Sequence, residues 1–126
     1  MSAMSRRKGA AAERELSKLL SEELGIEIVR NTDPQRVTGG DILTIPGYSL
    51  EVKRCESLRR PSWWEQSQRQ AARVRLEGVV FYRQSRKPWR ALVSAEGGYA
   101  DVTFEEALDR LRDKLARLYG LYRDAA

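Results

Sequence analysis

Glycine and proline divide the chain of 126 residues into short segments, and this division limits the folds that it can adopt. Gly25 and the turn Pro46-Gly47 separate segments in which the spacing of apolar residues changes from helical to alternating. Gly78 and the pair Gly97-Gly98 do the same in the second half of the chain. The spacing predicts helices over residues 8–24, 61–76 and 103–122, and strands over residues 26–30, 41–45, 48–54, 79–83, 89–93 and 99–102.

The order of these elements predicts the fold class. A helix, three strands, a helix, three strands and a final helix are typical of an α/β or α+β protein with one mixed sheet covered by helices. Ser62 with Glu65, and Thr103 with Glu106, have the spacing of capping boxes at the start of the second and third helices. We expect one domain over residues 1–126, with residues 1–6 disordered and residues 103–122 forming a C-terminal helix.

Residue counts exclude several chemistries. The sequence contains no histidine and one cysteine, Cys55, which excludes a Ser-His-Asp triad, a histidine general base, a histidine-ligated zinc and an intramolecular disulfide. Any metal must be held by oxygen, which suits Mg²⁺ or Mn²⁺. No run of about 20 apolar residues could span a bilayer, and residues 1–8 lack the apolar core of a signal peptide. We therefore expect a cytoplasmic protein without a membrane partner.

Glu13 lies on the stripe of the first predicted helix that should face the core. On a helical wheel at about 100° per residue, Leu16, Leu20 and Leu24 lie within roughly 60° of it. The opposite face, which we expect to be solvated, carries Arg14, Glu15, Lys18 and Glu22. A buried, unpaired carboxylate costs several kcal/mol, so Glu13 should be paired or bind a cation. Compensation by the helix dipole or an arginine, and a role in a functional site, are both open interpretations.

Asp41, Glu51 and Lys53 are the residues most suggestive of a site. Glu51 and Lys53 are two apart on a predicted strand and share one of its faces, and Asp41 begins the neighbouring strand. A strict two-residue turn at Pro46-Gly47 would pair residue 41 with residue 52 and place Asp41 on the opposite face. We therefore predict a longer loop, or a bulge or bend at Gly39-Gly40, that returns the three side chains to one face.

This arrangement resembles the PD-(D/E)xK nuclease superfamily, in which an Asp on one strand precedes Glu-x-Lys on the next. The matching residues are Asp41 and Glu51-Val52-Lys53. The segment RKGAAAEREL at residues 7–16 is also similar to the first helix of archaeal and phage Holliday-junction resolvases. The resemblance covers roughly residues 6–93. Gly40 stands where the motif has Pro, and the loop before Asp41 is longer than in the archaeal enzymes.

The resemblance implies a restriction-endonuclease-like core and a structure-selective DNA endonuclease that depends on Mg²⁺ or Mn²⁺. It implies that Glu13, Asp41 and Glu51 are the catalytic acidic residues and that Lys53 is the catalytic lysine. Asp41, Glu51 and Glu13, with the carbonyl of Val52, would hold the metal. Lys53 would position the attacking water or neutralise charge on the phosphate.

Further expectations concern the partners and two glutamines. Because a resolvase cuts two strands of a four-way junction symmetrically, the resemblance implies a homodimer. It also implies that Gln66 or Gln70, which follow Glu-x-Lys, assists the site. The alternatives are a nuclease acting on linear duplex or flap DNA, and a non-catalytic nucleic-acid-binding module with the same fold. A restriction enzyme would need an element that reads bases, and the sequence reveals none.

Basic residues surround the predicted acidic site, and the net charge is +5. Such a distribution is typical of proteins that contact phosphates. The residues expected to bind nucleic acid are Arg7, Lys8, Arg14, Arg30, Arg54, Arg59 and Arg60. A further basic cluster at a predicted hairpin turn contains Arg83, Arg86, Lys87 and Arg90.

Overall fold

A computed structural model describes residues 3–32, 40–42 and 45–119, with side chains from residue 9 onward. Its helices are α1 (Ala3–Leu24), α2 (Arg60–Val74) and α3 (Phe104–Tyr119). Its strands are β1 (Tyr48–Cys55), β2 (Glu77–Gln84), β3 (Arg90–Ala95) and β4 (Gly98–Thr103). Residues 3–6, where disorder was expected, belong to α1, whereas residues 1–2 and 120–122 lie outside the described part.

The four strands form one mixed sheet in the order β1-β2-β3-β4. β1 and β2 are parallel and are connected through α2, while the other two neighbouring pairs are antiparallel. Beyond β1, Arg30 bridges to Ile42 and Ile42 bridges to Leu50, both antiparallel. The predicted α+β class with a mixed sheet flanked by helices is confirmed.

Two predicted strands are wrong in extent. Within the described residues, segments 26–30 and 41–45 contribute only the single bridges at Arg30 and Ile42, and residues 43–44 lie outside them. Ile26 and Ile28 alternate as in a strand, but their side chains pack on the core that α1 also covers. The alternation of apolar residues at 26–30 therefore reflects burial of the side chains and not a continuous ladder of backbone hydrogen bonds.

Each face of the sheet has its own core. On the face covered by α1 and α3, buried residues include Leu16, Leu20, Leu50, Phe81, Leu111 and Trp89. On the face covered by α2, Trp63 packs on Tyr82 beside Val80 and Leu92. Trp64 is only partly buried, so the two adjacent tryptophans point different ways, as the angle of about 100° between successive helical residues requires.

The helix ends follow the predictions only in part. The backbone N–H of Glu106 donates to the Thr103 hydroxyl at 3.1 Å, so Thr103 caps α3 as predicted, while the Glu106 carboxylate accepts the Thr103 hydroxyl at 3.2 Å. The expected box at α2 is wrong, because the Ser62 hydroxyl donates to the Arg59 carbonyl instead. α2 ends at Val74, before Gly78, with Arg75 in the left-handed conformation as its C-cap.

Glu15 lies on a partly solvated face, with its side chain 40% exposed, but it also makes contacts that the helical wheel does not predict. Its Oε1 accepts hydrogen bonds from Arg83 Nη1 at 2.6 Å and from the Trp89 indole at 2.9 Å. These contacts fasten α1 to β2 and to the start of β3. None of the described helices is sufficiently long and apolar to cross a membrane.

Asp101 on β4 joins α2 to the far side of the sheet. Its carboxylate accepts hydrogen bonds from the Tyr82 hydroxyl at 2.6 Å, Arg60 Nη1 at 2.7 Å and Arg90 Nε at 2.9 Å. Burial alone would raise its pKa, but these three donors outweigh burial and hold the pKa of Asp101 below its usual value.

Asp101→Asn is expected to lower the free energy of unfolding at neutral pH by about 1 to 3 kcal/mol, because an amide cannot replace a carboxylate shared by two arginines. A depressed pKa stabilises the fold above the unfolded-state value, and this contribution is lost as pH falls through the folded-state pKa. The difference between wild type and variant should therefore shrink below about pH 4. Urea unfolding at neutral and acidic pH measures this difference. Asp109→Asn, at an exposed position of α3, is the control. An equal difference at both pH values would contradict this prediction.

Candidate active site

The register at the edge of the sheet places Asp41 on the same face as Glu51. Ile42 pairs with Leu50, so residue 41 lies opposite residue 51. At the turn, however, the Tyr48 N–H donates to the Ile45 carbonyl at 3.2 Å, which alone would pair residue 41 with residue 52. The pairing shifts by one residue between the turn and the bridge. The shared face of Asp41 and Glu51 is as predicted, but the longer loop is wrong, because the turn has two residues. The predicted bulge or bend at Gly39-Gly40 stays a prediction, since residue 39 lies outside the described residues.

Backbone and side-chain hydrogen bonds fix Asp41 against β1. Its N–H donates to the Leu50 carbonyl at 2.6 Å, and its Oδ2 accepts the Val52 N–H at 2.7 Å. The side chains of Asp41 and Glu51 are 6% and 4% exposed. Two carboxylates are therefore brought together in a buried position at the edge of the sheet.

Asn31 holds the segment that carries Asp41, although nothing in the sequence distinguishes it as a site residue. Its backbone N–H donates to the Asp41 carbonyl at 2.7 Å, and its Nδ2 donates to the Gly40 carbonyl at 2.8 Å. The side chain is buried. The only local signal was a polar residue directly after a predicted strand, which is also typical of an ordinary turn.

Gly40 allows the backbone before Asp41 to approach β1 closely. A Cβ atom at this position would lie 2.9 Å from the Leu50 carbonyl carbon and 3.0 Å from its nitrogen, and closer still to its carbonyl oxygen. All three are backbone atoms that cannot move aside independently. This contact gives a physical reason for glycine at the position where the motif has Pro.

Lys53 lies on the same face as Glu51, two residues along β1. Its Nζ donates to Gln66 Oε1 on α2 at 3.1 Å. Gln66 is therefore the candidate glutamine that contacts the lysine. The buried Oε1 of Gln70 has no hydrogen-bond partner among the described residues.

Glu13 is placed beside this hairpin and not within it. The Glu13 side chain is 12% exposed, and its Oε1 pairs with Arg30 Nε at 3.4 Å. Because Arg30 also forms the backbone bridge to Ile42, the pair connects α1 with the segment that carries Asp41. The expectation that Glu13 would lie near the core and be compensated by an arginine matches this contact.

Comparisons with known proteins agree with the geometry of the candidate site. A family described as "Phage putative PDDEXK endonuclease" matches residues 4–117. The chain belongs to this PDDEXK endonuclease family. Among solved structures, it is similar to Hjc, a Holliday junction resolvase of the archaeal hyperthermophile Archaeoglobus fulgidus, with a TM-score of 0.52 and 20% identity over 79% of this chain and 97% of that chain. This likeness shows a shared restriction-endonuclease-like fold. No curated protein gives a significant match.

Divalent-metal dependence is general among PDDEXK nucleases, and the oxygen atoms at the sheet edge fit such an ion. Val52 N–H points to Asp41, and the carbonyl of a strand residue faces the same side as its N–H, so the Val52 carbonyl also faces this edge. Asp41, Glu51 and this carbonyl form a donor set that suits Mg²⁺ or Mn²⁺. Over the described ranges, no three acidic, histidine or cysteine side chains group around one metal position, so Glu13 does not complete a three-carboxylate cluster.

The basic residues expected to contact nucleic acid in this PDDEXK protein differ in their surroundings. Arg14, Arg54 and Arg59 are exposed. Arg30 is engaged by Glu13, and Arg60 by Asp101. The side chains of Arg7 and Lys8 lie outside the described residues.

Proposed function

We propose that this PDDEXK protein is a metal-dependent, structure-selective DNA endonuclease that resembles Holliday-junction resolvases in its activity. The observation that carries the proposal is the placement of Asp41 opposite Glu51, with Lys53 on the same face. Buried carboxylates next to a partly exposed lysine suit a site where a phosphate meets both a cation and an ammonium group. A protein that only bound DNA would gain nothing from carboxylates directed at phosphates.

Each residue then has a distinct role in the proposed reaction. Asp41, Glu51 and the Val52 carbonyl would hold Mg²⁺ or Mn²⁺, and the bound ion would polarise the phosphodiester and lower the pKa of the attacking water. Lys53 Nζ, which Gln66 orients at 3.1 Å, would donate to a phosphate oxygen and offset the negative charge that develops there. Glu13 would act through Arg30 and solvent and not as a direct ligand.

Selectivity for branched DNA and a homodimeric state belong to the same proposal. The likeness to Hjc supports branched DNA as the substrate class, because that protein is a Holliday junction resolvase. Two copies would present two sites to the symmetric strands of a junction. The family, which is described from phage proteins, favours the cytoplasm of a bacterium or of a phage-infected host cell as the setting.

The test is to incubate the protein with labelled four-way junction, flap, linear duplex and single-stranded DNA, in Mg²⁺, in Mn²⁺ and with a chelator. Paired nicks in the junction alone are expected, and they should disappear with chelator and with Lys53→Ala. Lys18→Ala, which removes an exposed lysine of α1, is the matched control and should cut as the wild type does.

The other outcomes separate the remaining functions. Equal cutting of all duplex substrates would retain the nuclease and refute junction selectivity. Binding of DNA without cleavage in either metal would refute catalysis and leave the non-catalytic nucleic-acid-binding module.

A further inference from the structure

A cleft of about 430 Å³ opens on the α2 face of the sheet, where β2 turns into β3. Asp41, Glu51 and Lys53 do not line it, so it is separate from the candidate active site. Its walls come from the segment before α2, the first residue of α2 and the β2–β3 turn. The lining residues that matter here are Leu58, Arg60, Tyr82, Lys87, Pro88 and Arg90.

The cleft is positively charged and partly rigid. Arg60, Lys87 and Arg90 contribute three cations, against one carboxylate from Asp101. Asp101 holds both guanidinium groups in place through bonds of 2.7 and 2.9 Å. Each guanidinium has five N–H donors, so these bonds leave donors that can reach an anion. An anion would therefore meet donors that are already oriented.

Apolar surface lies beside these cations. Leu58 is 39% exposed, and Pro88, which also lines the cleft, is exposed. A nucleotide combines the same two chemistries, because its phosphate is anionic and its sugar and base are largely apolar on their faces. The lining suits a nucleotide unit better than it suits a free inorganic anion.

The register places this cleft within reach of a strand bound at the active site. Lys53 on β1 pairs with Tyr82 on β2, and Tyr82 pairs with Arg90 on β3. Neighbouring strands are about 4.8 Å apart, so Arg90 lies roughly 10 Å from Lys53 across the sheet. Trp63 of α2 packs on Tyr82 between them, so a DNA strand would pass around the N-terminal end of α2, where Arg59, the residue before the helix, is exposed.

We propose that this cleft binds one nucleotide of the DNA substrate, with its phosphate held by Arg60, Lys87 and Arg90 and its sugar and base against Leu58 and Pro88. The cleft and the candidate active site lie on the same face of the sheet, two strands apart, so this nucleotide would lie within a few nucleotides of the bond that is cut. The position of this subsite relative to cleavage rests on the proposed endonuclease function.

The first test measures binding of a fluorescein-labelled four-way junction to the full chain by anisotropy over a salt series, with chelator to prevent cleavage. Lys87 is exposed and outside the Asp101 network, so Lys87→Ala should fold normally, which thermal unfolding checks. It is expected to weaken binding by about 3- to 10-fold and to reduce the slope of log K against log salt by about one phosphate contact. Lys18→Ala removes the same charge from α1 and should change neither quantity. Equal behaviour of the two variants would overturn the proposal.

The second test maps the nucleotide. A benzophenone attached to Lys87→Cys, in a Cys55→Ser background, should crosslink to junction DNA at one defined position within a few nucleotides of the cut. Crosslinks spread evenly along the arms would refute a defined subsite. If the wild type shows the Lys87 effect but cuts no DNA, the endonuclease proposal fails while nucleotide binding in the cleft stands. If it cuts DNA and Lys87→Ala binds normally, the reverse holds.

Discussion

Asp41→Asn is expected to slow DNA cleavage by at least about 10² to 10³-fold without destabilising the protein. The amide oxygen of asparagine can still accept the Val52 N–H that Asp41 Oδ2 accepts at 2.7 Å, so the hairpin should keep its shape. The substitution removes one of two buried negative charges at the sheet edge. Because neighbouring like charges repel, the temperature of unfolding should stay the same or rise.

Asp41→Ala separates the two roles of this side chain. It removes the charge and also leaves the buried Val52 N–H without its acceptor, which costs about 1 to 3 kcal/mol of stability. Both variants should therefore lose cleavage, but only the alanine variant should unfold more readily. Single-turnover cleavage and thermal unfolding measure the two effects. Asp109→Asn, at an exposed position of α3, is the control for loss of a carboxylate. Cleavage at the wild-type rate by Asp41→Asn would remove Asp41 from the site.

The sequence allowed the central part of this site to be predicted because strand periodicity is local. Alternation over residues 48–54 correctly placed Glu51 and Lys53 on one face of β1. The geometry of a hairpin is also local, so the conflict between a two-residue turn and a shared face could be recognised in advance. The form of the departure was not predicted, because the register shifts between Ile42 and the turn, whereas Gly40 provides a close approach to Leu50.

Contacts between distant segments could not be predicted in the same way. Periodicity tells which face of an element is buried but not which residue it meets. Glu15 was assigned to solvent by its place on the helical wheel, yet it binds Trp89, which is 74 residues away. Nothing in the pattern of its short strand distinguishes Asp101, because its partner Arg60 comes from a distant segment, α2.

Asn31 and the bridge at Ile42 show a second limit. Whether a short apolar segment becomes a full strand depends on partners that the segment does not contain. In this protein, packing of Ile26 and Ile28 on the core took precedence over a ladder, and a buried amide supplied hydrogen bonds at the Asp41 hairpin. A polar side chain can form such hydrogen bonds at almost any turn, so the role of Asn31 could not be inferred from its residue type.

Gly40→Ala is expected to be more damaging than its size suggests. The added methyl would meet three backbone atoms of Leu50, with its carbonyl carbon at 2.9 Å, so the two segments would have to separate. Such overpacking costs about 1 to 3 kcal/mol, which corresponds to a fall of roughly 4 to 12 °C in the temperature of unfolding for a domain of this size. The same separation would move Asp41 away from β1, and a displacement of about 1 Å can lower the rate of cleavage by about 10²-fold.

Gly9→Ala is the matched control for this substitution. Gly9 lies in α1 with no atom within 4 Å of an added Cβ, so alanine there should maintain or raise stability by up to about 1 kcal/mol through its better helix propensity. Thermal unfolding and single-turnover cleavage of both variants compare a glycine that has space for a Cβ atom with one that has none. If Gly40→Ala were as stable and as active as Gly9→Ala, the close packing of Gly40 on Leu50 could not be what positions Asp41. If Gly40→Ala instead loses more cleavage activity than its loss of stability explains, Gly40 sets the spacing between the carboxylates of Asp41 and Glu51.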